Sequence, residues 1–143
     1  MPLKILFAFI LISFYTDISL QAQTLNVQIN KVKSNKGKIL LSIYNAEKGF
    51  PYESTNCIKI FTLNPQVGRV VLSTREIPTG TYAIALFHDV DDNGKLSTNM
   101  LGIPKEGYAF SNNASNFFGV PNFKDASFKL TSDTTIVINM KHF

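Results

Sequence analysis

The chain has 143 residues, of which 45% are apolar and 17% charged, with 12 Phe, no Trp and 1 Cys. This composition suits one globular domain and excludes disordered, collagen-like, coiled-coil and multispan membrane proteins. A single Cys excludes an intramolecular disulfide framework and a Cys-based zinc cluster. The net charge of +4 comes from 14 basic and 10 acidic residues that are scattered along the chain, and such a distribution does not predict nucleic-acid binding.

The first 22 residues are typical of a secretory signal peptide. Lys4 precedes the apolar run Ile5–Phe14, which is too short to span a bilayer that needs roughly 20 apolar residues. Leu20-Gln21-Ala22 then fits a cleavage site. We therefore expect export to the periplasm or the cell exterior, with residues 23–143 as one domain and no transmembrane segment after cleavage. An uncleaved N-terminal anchor is the alternative.

The next residues alternate between apolar and polar side chains, the pattern of a half-buried strand. Leu25, Val27 and Ile29 show it first, and Ile39, Leu41 and Ile43 show it again after the turn residues Ser34–Gly37. Residues 25–44 therefore predict a β-hairpin. Five further strands are expected, at Ile58–Phe61, Val70–Leu72, Thr81–Asp89, Phe128–Leu130 and Ile136–Met140.

Turn signals separate these segments, and no helical period longer than about ten residues occurs. The sequence thus predicts an all-β fold, a single antiparallel β-sandwich of about seven strands with one long loop between strands 5 and 6. Thr81–Asp89 is nearly continuously apolar, which indicates a central strand. Gly80-x-Tyr82 at its start resembles a tyrosine corner, in which the phenol bonds to backbone.

The loop from His88 to Phe123 opens with a partial calcium-binding pattern. Asp89, Asp91 and Asn93 fill the first three side-chain positions, Gly94 supplies the turn, Lys95 a carbonyl oxygen and Ser97 the ninth position. Met100 stands where the pattern needs a bidentate Glu, so Asn99, Glu106 or Asp92 would have to complete the shell. The alternative is a turn in which these side chains cap backbone amides.

The same loop is rich in aromatic residues mixed with Asn and Ser, which suit a shallow site for a sugar or a peptide. Self-packing of the loop around its own aromatic side chains is the alternative. An exposed aromatic patch would favour binding, and buried aromatics a structural role. The candidate ligand-binding residues are His88, Tyr108, Phe110, Asn112, Phe117 and Phe118.

Several blocks of this sequence resemble a family of exported bacterial proteins known as domain of unknown function 2141. They are Gly37-x-Ile-x-Leu-Ser-Ile-Tyr44, Pro78-x-Gly-x-Tyr-Ala-Ile-Ala-x-Phe-His-Asp89, Asn93-Gly-Lys-Leu-Ser-Thr-Asn99 and Gly102-Ile-Pro-Lys-Glu-Gly-Tyr-Ala-Phe-Ser-Asn-Asn113. The resemblance implies an exported β-sandwich of transthyretin- or immunoglobulin-like topology from a Gram-negative source. It implies no activity. Ser97 stands where members often carry Asp, and Ala109 where Gly is common.

Few residues suit catalysis. His88 and Asp89 are neighbours on a strand and should point to opposite faces; Ser111 lacks a nucleophile-elbow context, Cys57 lacks a partner that would lower its pKa, and Glu106 lacks a second acid. We therefore expect a non-catalytic binding module that uses the 88–123 loop, with a glycan or an envelope protein as partner and one calcium ion as the only cofactor considered. The alternatives are a structural protein of the cell envelope and a small metal-dependent hydrolase using His88.

Overall fold

The computed structural model of the protein describes residues 22–143, so the expected signal peptide, apart from Ala22, lies outside the described residues. The described chain contains one short helix, α1 (Phe123–Ala126), and two 3-10 turns, at Ser54–Asn56 and Ser111–Asn113. Its strands are β1 (Leu25–Val32), β2 (Lys38–Tyr44), β3 (Lys59–Leu63), β4 (Gly68–Thr74), β5 (Gly80–Asp89), β6 (Tyr108–Phe110), β7 (Phe128–Leu130) and β8 (Thr134–Asn139). No helix among these residues is long and apolar enough to cross a membrane.

The strands form two sheets that pack over one apolar core. One sheet has the order β4-β1-β8, and the other has the order β3-β2-β5-β6 with β7 also paired to β5. Inward-facing residues of both sheets fill the core, among them Val27 and Ile29 of β1, Leu41 of β2 and Ile84 of β5, all fully buried. The prediction of a mostly β chain is confirmed.

The prediction of a hairpin over residues 25–44 is wrong. β1 pairs with β4 and β8, whereas β2 pairs with β3 and β5, so the two strands lie in different sheets. The alternating pattern does identify the buried face of each strand, but a period of two carries no information about the partner. The turn between β1 and β2 crosses from one sheet to the other. Gly37 in this turn has φ +70°, and a Cβ there would overlap the Asp89 carbonyl oxygen.

Two further details differ from the predicted architecture. β1 and β8 are parallel, with Leu25 opposite Thr134, so the pairing is not antiparallel throughout. β6 is an additional strand inside the segment predicted to be a loop. Its three residues are too few to show a period, and its pairing with Ala85–Phe87 is the property that defines it.

β5 is the central strand of its sheet, as its continuous apolar sequence predicts. β2 pairs with it from Ala83 to Asp89, β6 pairs with Ala85–Phe87, and β7 pairs with Gly80–Tyr82. The buried Ser111, directly after β6, links β5 to α1, since its Oγ accepts a hydrogen bond from Ile84 N of β5 (2.8 Å) and donates one to Ala126 O of α1 (2.5 Å). The 108–130 segment is therefore attached to β5 at its two ends and through Ser111.

Tyr82 forms the corner that the sequence indicates. Its hydroxyl donates to Pro78 O at 2.7 Å, while its ring packs in the core beside Phe128. A Cβ on Gly80 would lie 2.7 Å from Tyr82 Oη, so only glycine leaves room for the ring. The Gly-x-Tyr spacing is therefore a steric requirement of this corner, because the Tyr82 ring lies over Gly80.

Strand directions bring several connections to one end of the two sheets, which we call the loop end. It contains the turn after β1, the β3–β4 connection, the long β5–β6 connection (residues 90–107) and residues 140–143 after β8. Contacts confirm the grouping: Val67 N donates to Asn35 Oδ1 at 2.7 Å, and a ring nitrogen of His142 bonds to Lys31 O at 2.8 Å. The connections after β2, β4 and β7 lie at the opposite end.

We expect Tyr82→Phe to lower the free energy of unfolding by about 1 kcal/mol, because it removes one hydrogen bond and little packing. Urea unfolding measures the change. Tyr52→Phe is the matched control, since Tyr52 is exposed and its hydroxyl lies outside the core. Equal midpoints for the two variants would show that the corner hydrogen bond contributes nothing.

Candidate functional site

The first half of the predicted calcium-binding loop folds around the carboxylate of Asp89, the last residue of β5. Asp89 is only 1% exposed, and its two oxygens accept hydrogen bonds from Asn93 N (3.0 Å) and Gly94 N (2.8 Å). Amides of the following turn therefore replace the water that burial removes from this charge. The turn takes its shape from this carboxylate.

Glu106 holds the other end of the loop. It lies two residues before β6 and is 8% exposed. Its Oε1 accepts from Val90 N (2.8 Å) and its Oε2 from Ser97 N (2.9 Å), so one carboxylate ties the start of the loop to its return. The Lys105 N to Ser97 O bond (2.8 Å) runs alongside.

Asp91 completes a cluster of acidic groups that we call the acidic cage, made of Asp89, Asp91 and Glu106. One carboxylate oxygen from each lies within 4.8 Å of the others. Asp91 is exposed, and its Oδ2 accepts from Asn93 Nδ2 (2.9 Å) and Ser97 Oγ (3.3 Å). The three carboxylates and the Ser97 hydroxyl present hard oxygen atoms, which are the ligands that calcium prefers. Asn93 turns its amide nitrogen toward Asp91.

The structure thus brings together five of the seven predicted metal ligands: Asp89, Asp91, Asn93, Ser97 and Glu106. Lys95 enters through its amide, which donates to Asn93 Oδ1 at 2.8 Å. Asn99 lies outside, because its Oδ1 caps a separate turn by accepting from Leu101 N and Ile103 N.

Asp92, the other residue considered for the shell, also points elsewhere. It pairs with Lys38 at 2.9 Å, and this hydrogen bond and the charge of Asp92 raise the pKa of the Lys38 ammonium. Of the three residues that could complete the shell, Glu106 is therefore the one that lies with Asp89 and Asp91, from outside the usual spacing.

Four of the six predicted ligand-binding side chains lie in structural contacts. His88 is buried and its Nε2 bonds to Lys36 O at 2.7 Å. Phe110 packs edge-on against Phe50 at 6.0 Å. Tyr108 stacks on Phe143 at 6.0 Å, and partial burial raises the pKa of its phenol. Asn112 donates to the carbonyl oxygens of Asp125 (3.2 Å) and Ser127 (2.7 Å).

Phe117 and Phe118 are different, because both are exposed, at 90% and 88%. They occupy the middle of the turn Asn116–Gly119, which we call the Phe tip, with their rings edge-to-face at 4.7 Å. Asn116 Oδ1 accepts from Phe118 N (3.4 Å), and Gly119 has the positive φ that such a turn needs.

A second turn of the same kind, which the sequence analysis did not single out, lies in the β5–β6 connection. Met100 and Leu101 occupy the middle of Asn99–Gly102, the Met tip, and are 104% and 83% exposed. Gly102 N donates to Asn99 O at 3.0 Å, and the Asn99 side chain caps the turn from within. The repeated Asn-x-x-Gly spacing with two apolar residues inside was the available signal.

Neither histidine of the described chain contacts a carboxylate. The ring nitrogens of His88 and His142 bond to the carbonyl oxygens of Lys36 and Lys31, and no histidine belongs to the acidic cage. The metal-dependent hydrolase considered above required His88 to meet a carboxylate at one metal, and this arrangement does not occur in residues 22–143.

Comparison with known proteins finds one family. The family described as "Uncharacterized protein conserved in bacteria (DUF2141)" matches residues 27–138, which includes every strand except the outermost residues of β1 and β8. No curated protein and no solved structure matches the chain.

We expect Glu106→Gln to lower stability in EDTA by about 1–3 kcal/mol, because one of its two amide donors would then face an NH₂ group in a buried site. Hydrogen exchange should also accelerate at Val90 and Ser97. Asp92→Asn is the control, because it breaks only an exposed ion pair worth about 0–1 kcal/mol. Unchanged exchange at both amides would contradict the bracing role of Glu106.

Proposed function

The chain belongs to DUF2141, a bacterial family without a characterised activity, and we propose that it is an exported, non-catalytic binding module of the periplasm or cell exterior. The 88–123 segment is its recognition element in this proposal. Export rests on the apolar run Ile5–Phe14 behind Lys4. The transthyretin- or immunoglobulin-like topology implied by the family resemblance belongs to the same proposal.

The exposure of Phe117 and Phe118 is the observation that carries the binding role. Large side chains at 90% and 88% exposure gain nothing from folding, and a segment that served only to pack itself would bury them, as it buries Phe110. The Asn116 cap and Gly119 hold the turn in one shape, which reduces the entropy lost on binding. Two adjacent aromatic faces suit stacking on a sugar ring or packing on an envelope protein.

The non-catalytic part of the proposal is supported by the contacts of the candidate groups. His88 is buried against backbone, the Ser111 hydroxyl is used within the sheet, and the Cys57 Sγ donates to Ser54 O at 2.9 Å. None of them is presented to solvent beside a base, which nucleophilic catalysis requires.

We expect the double variant Phe117→Ser/Phe118→Ser to keep the thermal midpoint of the wild type within about a degree, because neither ring is packed in the core. On an array of bacterial envelope polysaccharides, every glycan that the wild type binds should be bound at least tenfold more weakly. Val71→Ser on β4 is the control, since Val71 is an exposed apolar residue outside the 88–123 segment. Equal binding by the double variant would place the glycan site outside the Phe tip, and no binding by the wild type would favour the structural alternative.

A second element of the proposal is one calcium ion in the acidic cage. Three carboxylates within 4.8 Å of one another repel, and no lysine or arginine of the described chain is paired with them. Each oxygen of Asp89 and Glu106 accepts one amide and keeps a second lone pair for a cation. Ser97 Oγ lies beside Asp91 and would extend the shell, whereas Asn93 turns its amide nitrogen toward Asp91 and its Oδ1 accepts from Lys95 N.

We expect millimolar calcium to raise the thermal midpoint of residues 23–143 relative to EDTA, with magnesium as the control ion. Binding to the native state alone contributes about 2.7 kcal/mol at a hundredfold excess over Kd, on the order of 10 °C for a domain of this size. Asp91→Ala should abolish the rise without lowering stability in EDTA, because it removes repulsion. Asp92→Ala should keep the rise, since Asp92 faces Lys38. Coincident unfolding curves of the wild type in calcium and in EDTA would contradict calcium binding and would favour a turn whose side chains only cap backbone amides.

A further inference from the structure

The charged residues of the described chain are sorted by strand direction. The loop end carries eight basic and four acidic residues. The other five basic and five acidic residues of the described chain lie at the opposite end and along the 108–130 segment, and their charges sum to zero. The loop end therefore accounts for the whole net charge of +4. The bases of the loop end are Lys31, Lys33, Lys36, Lys38, Arg69, Lys95, Lys105 and Lys141.

The four acids of the loop end all accept hydrogen bonds or form an ion pair, whereas most of its bases form no ion pair within the described chain. Asp89 and Glu106 are held by backbone amides, Asp91 by Asn93 and Ser97, and Asp92 by Lys38. Lys38 is the one loop-end base that forms an ion pair within residues 22–143. Seven unpaired cations at one end produce a positive potential that attracts anionic surfaces.

A groove of about 650 Å³ gathers part of this charge. Its lining includes Lys31, Lys33, Lys141 and His142, with Val32, Met140 and Phe143 as its apolar part, and no acidic side chain. A concave site of this composition suits a phosphate group, because three ammonium groups line it without a competing carboxylate.

The Met tip belongs to the same end of the molecule. Its hairpin, Thr98–Pro104, lies within the β5–β6 connection. Met100 and Leu101 project from this hairpin and are almost entirely exposed. Val90 and Ile103 in the same connection are also exposed apolar residues. The loop end therefore combines unpaired cations with aliphatic side chains on a capped turn.

We propose that the loop end docks on an anionic phospholipid bilayer, with Met100 and Leu101 entering the acyl boundary and the cations meeting lipid phosphates. A bilayer would contact both the cations and the aliphatic side chains, and the free energies of apolar burial and of attraction to anionic headgroups would add. An acidic polysaccharide or a nucleic acid would not use Met100 and Leu101, since an aliphatic pair offers no aromatic face for stacking. This surface is distinct from the Phe tip and does not require calcium in the acidic cage.

Vesicle co-sedimentation in EDTA tests the proposal. Residues 23–143 should bind vesicles of phosphatidylcholine with about one-third phosphatidylglycerol, should not bind phosphatidylcholine alone, and should be released at high salt. The triple variant Lys31→Gln/Lys33→Gln/Lys141→Gln should lose roughly a hundredfold in partitioning. Met100→Ser/Leu101→Ser should lose about tenfold or more, because it removes the inserted side chains.

Matched controls lie away from the loop end. Lys48→Gln/Lys124→Gln/Lys129→Gln removes the same charge, and Tyr52→Ser removes an exposed apolar side chain at the opposite end. Both should bind like the wild type. Thermal unfolding in EDTA shows that each variant is folded.

Three results would overturn the proposal. They are no wild-type binding to the anionic vesicles, an equal loss in the control triple variant, and full binding by Met100→Ser/Leu101→Ser. The last, with equally tight binding to dextran sulfate, would identify a polyanion site. Because the assay contains EDTA and its variants leave the acidic cage intact, its failure and the failure of the calcium test are separate outcomes.

Discussion

The backbone of β5 is the constraint on which the 88–123 segment, the proposed recognition element, depends. Both faces of this strand are buried, so peptide groups that β2 does not reach need partners from elsewhere in the chain. β6, the Ser111 hydroxyl and β7 supply them one after another. The long segment after β5 is therefore joined to the sheet at β6, Ser111 and β7, and these attachments constrain where the residues between them can reach.

Glu106 shows this most directly. His88 N donates to Gly107 O at 2.8 Å, which continues the β5–β6 pairing one step beyond β6 and leaves Glu106 beside the end of β5, where Asp89 begins the turn. Pairing therefore joins two carboxylates that are 17 positions apart. A shift of one residue in the β6 register would turn Glu106 to the other side and open the cage.

Much of the fold could be predicted from the sequence, and the errors have a common cause. Alternation identified the buried faces of β1, β2 and β8, and the apolar run of β5 identified the central strand. Alternation states which side chains are inward and is silent on which strand lies alongside, so the hairpin was wrong and the parallel pairing of β1 with β8 was not anticipated. Three-residue strands such as β6 fall below the length at which any period is visible.

The candidate site was predictable as a set of residue types, but its geometry was not. The spacing of Asp89, Asp91 and Asn93 indicates oxygen ligands around a turn, and the choice between Asn99, Asp92 and Glu106 depends on hydrogen bonds that only the folded chain makes. Aromatic composition likewise marked the 108–123 region without separating the packed Phe110 from the exposed Phe117. Only the folded chain distinguishes the two rings, because Phe110 is buried by its contact with Phe50 whereas Phe117 is exposed.

The parallel pairing of β1 with β8 also has a consequence for how the molecule assembles. Leu25 and Thr134 are neighbours in space and 109 positions apart in the chain, so the sheet that holds β1 at its centre closes only after nearly all of the described chain is available. Such non-local topology places folding toward the slow end for small domains. Until β8 arrives, β1 keeps an open edge that another chain could pair with, which makes β8 a cap against aggregation as well as a strand.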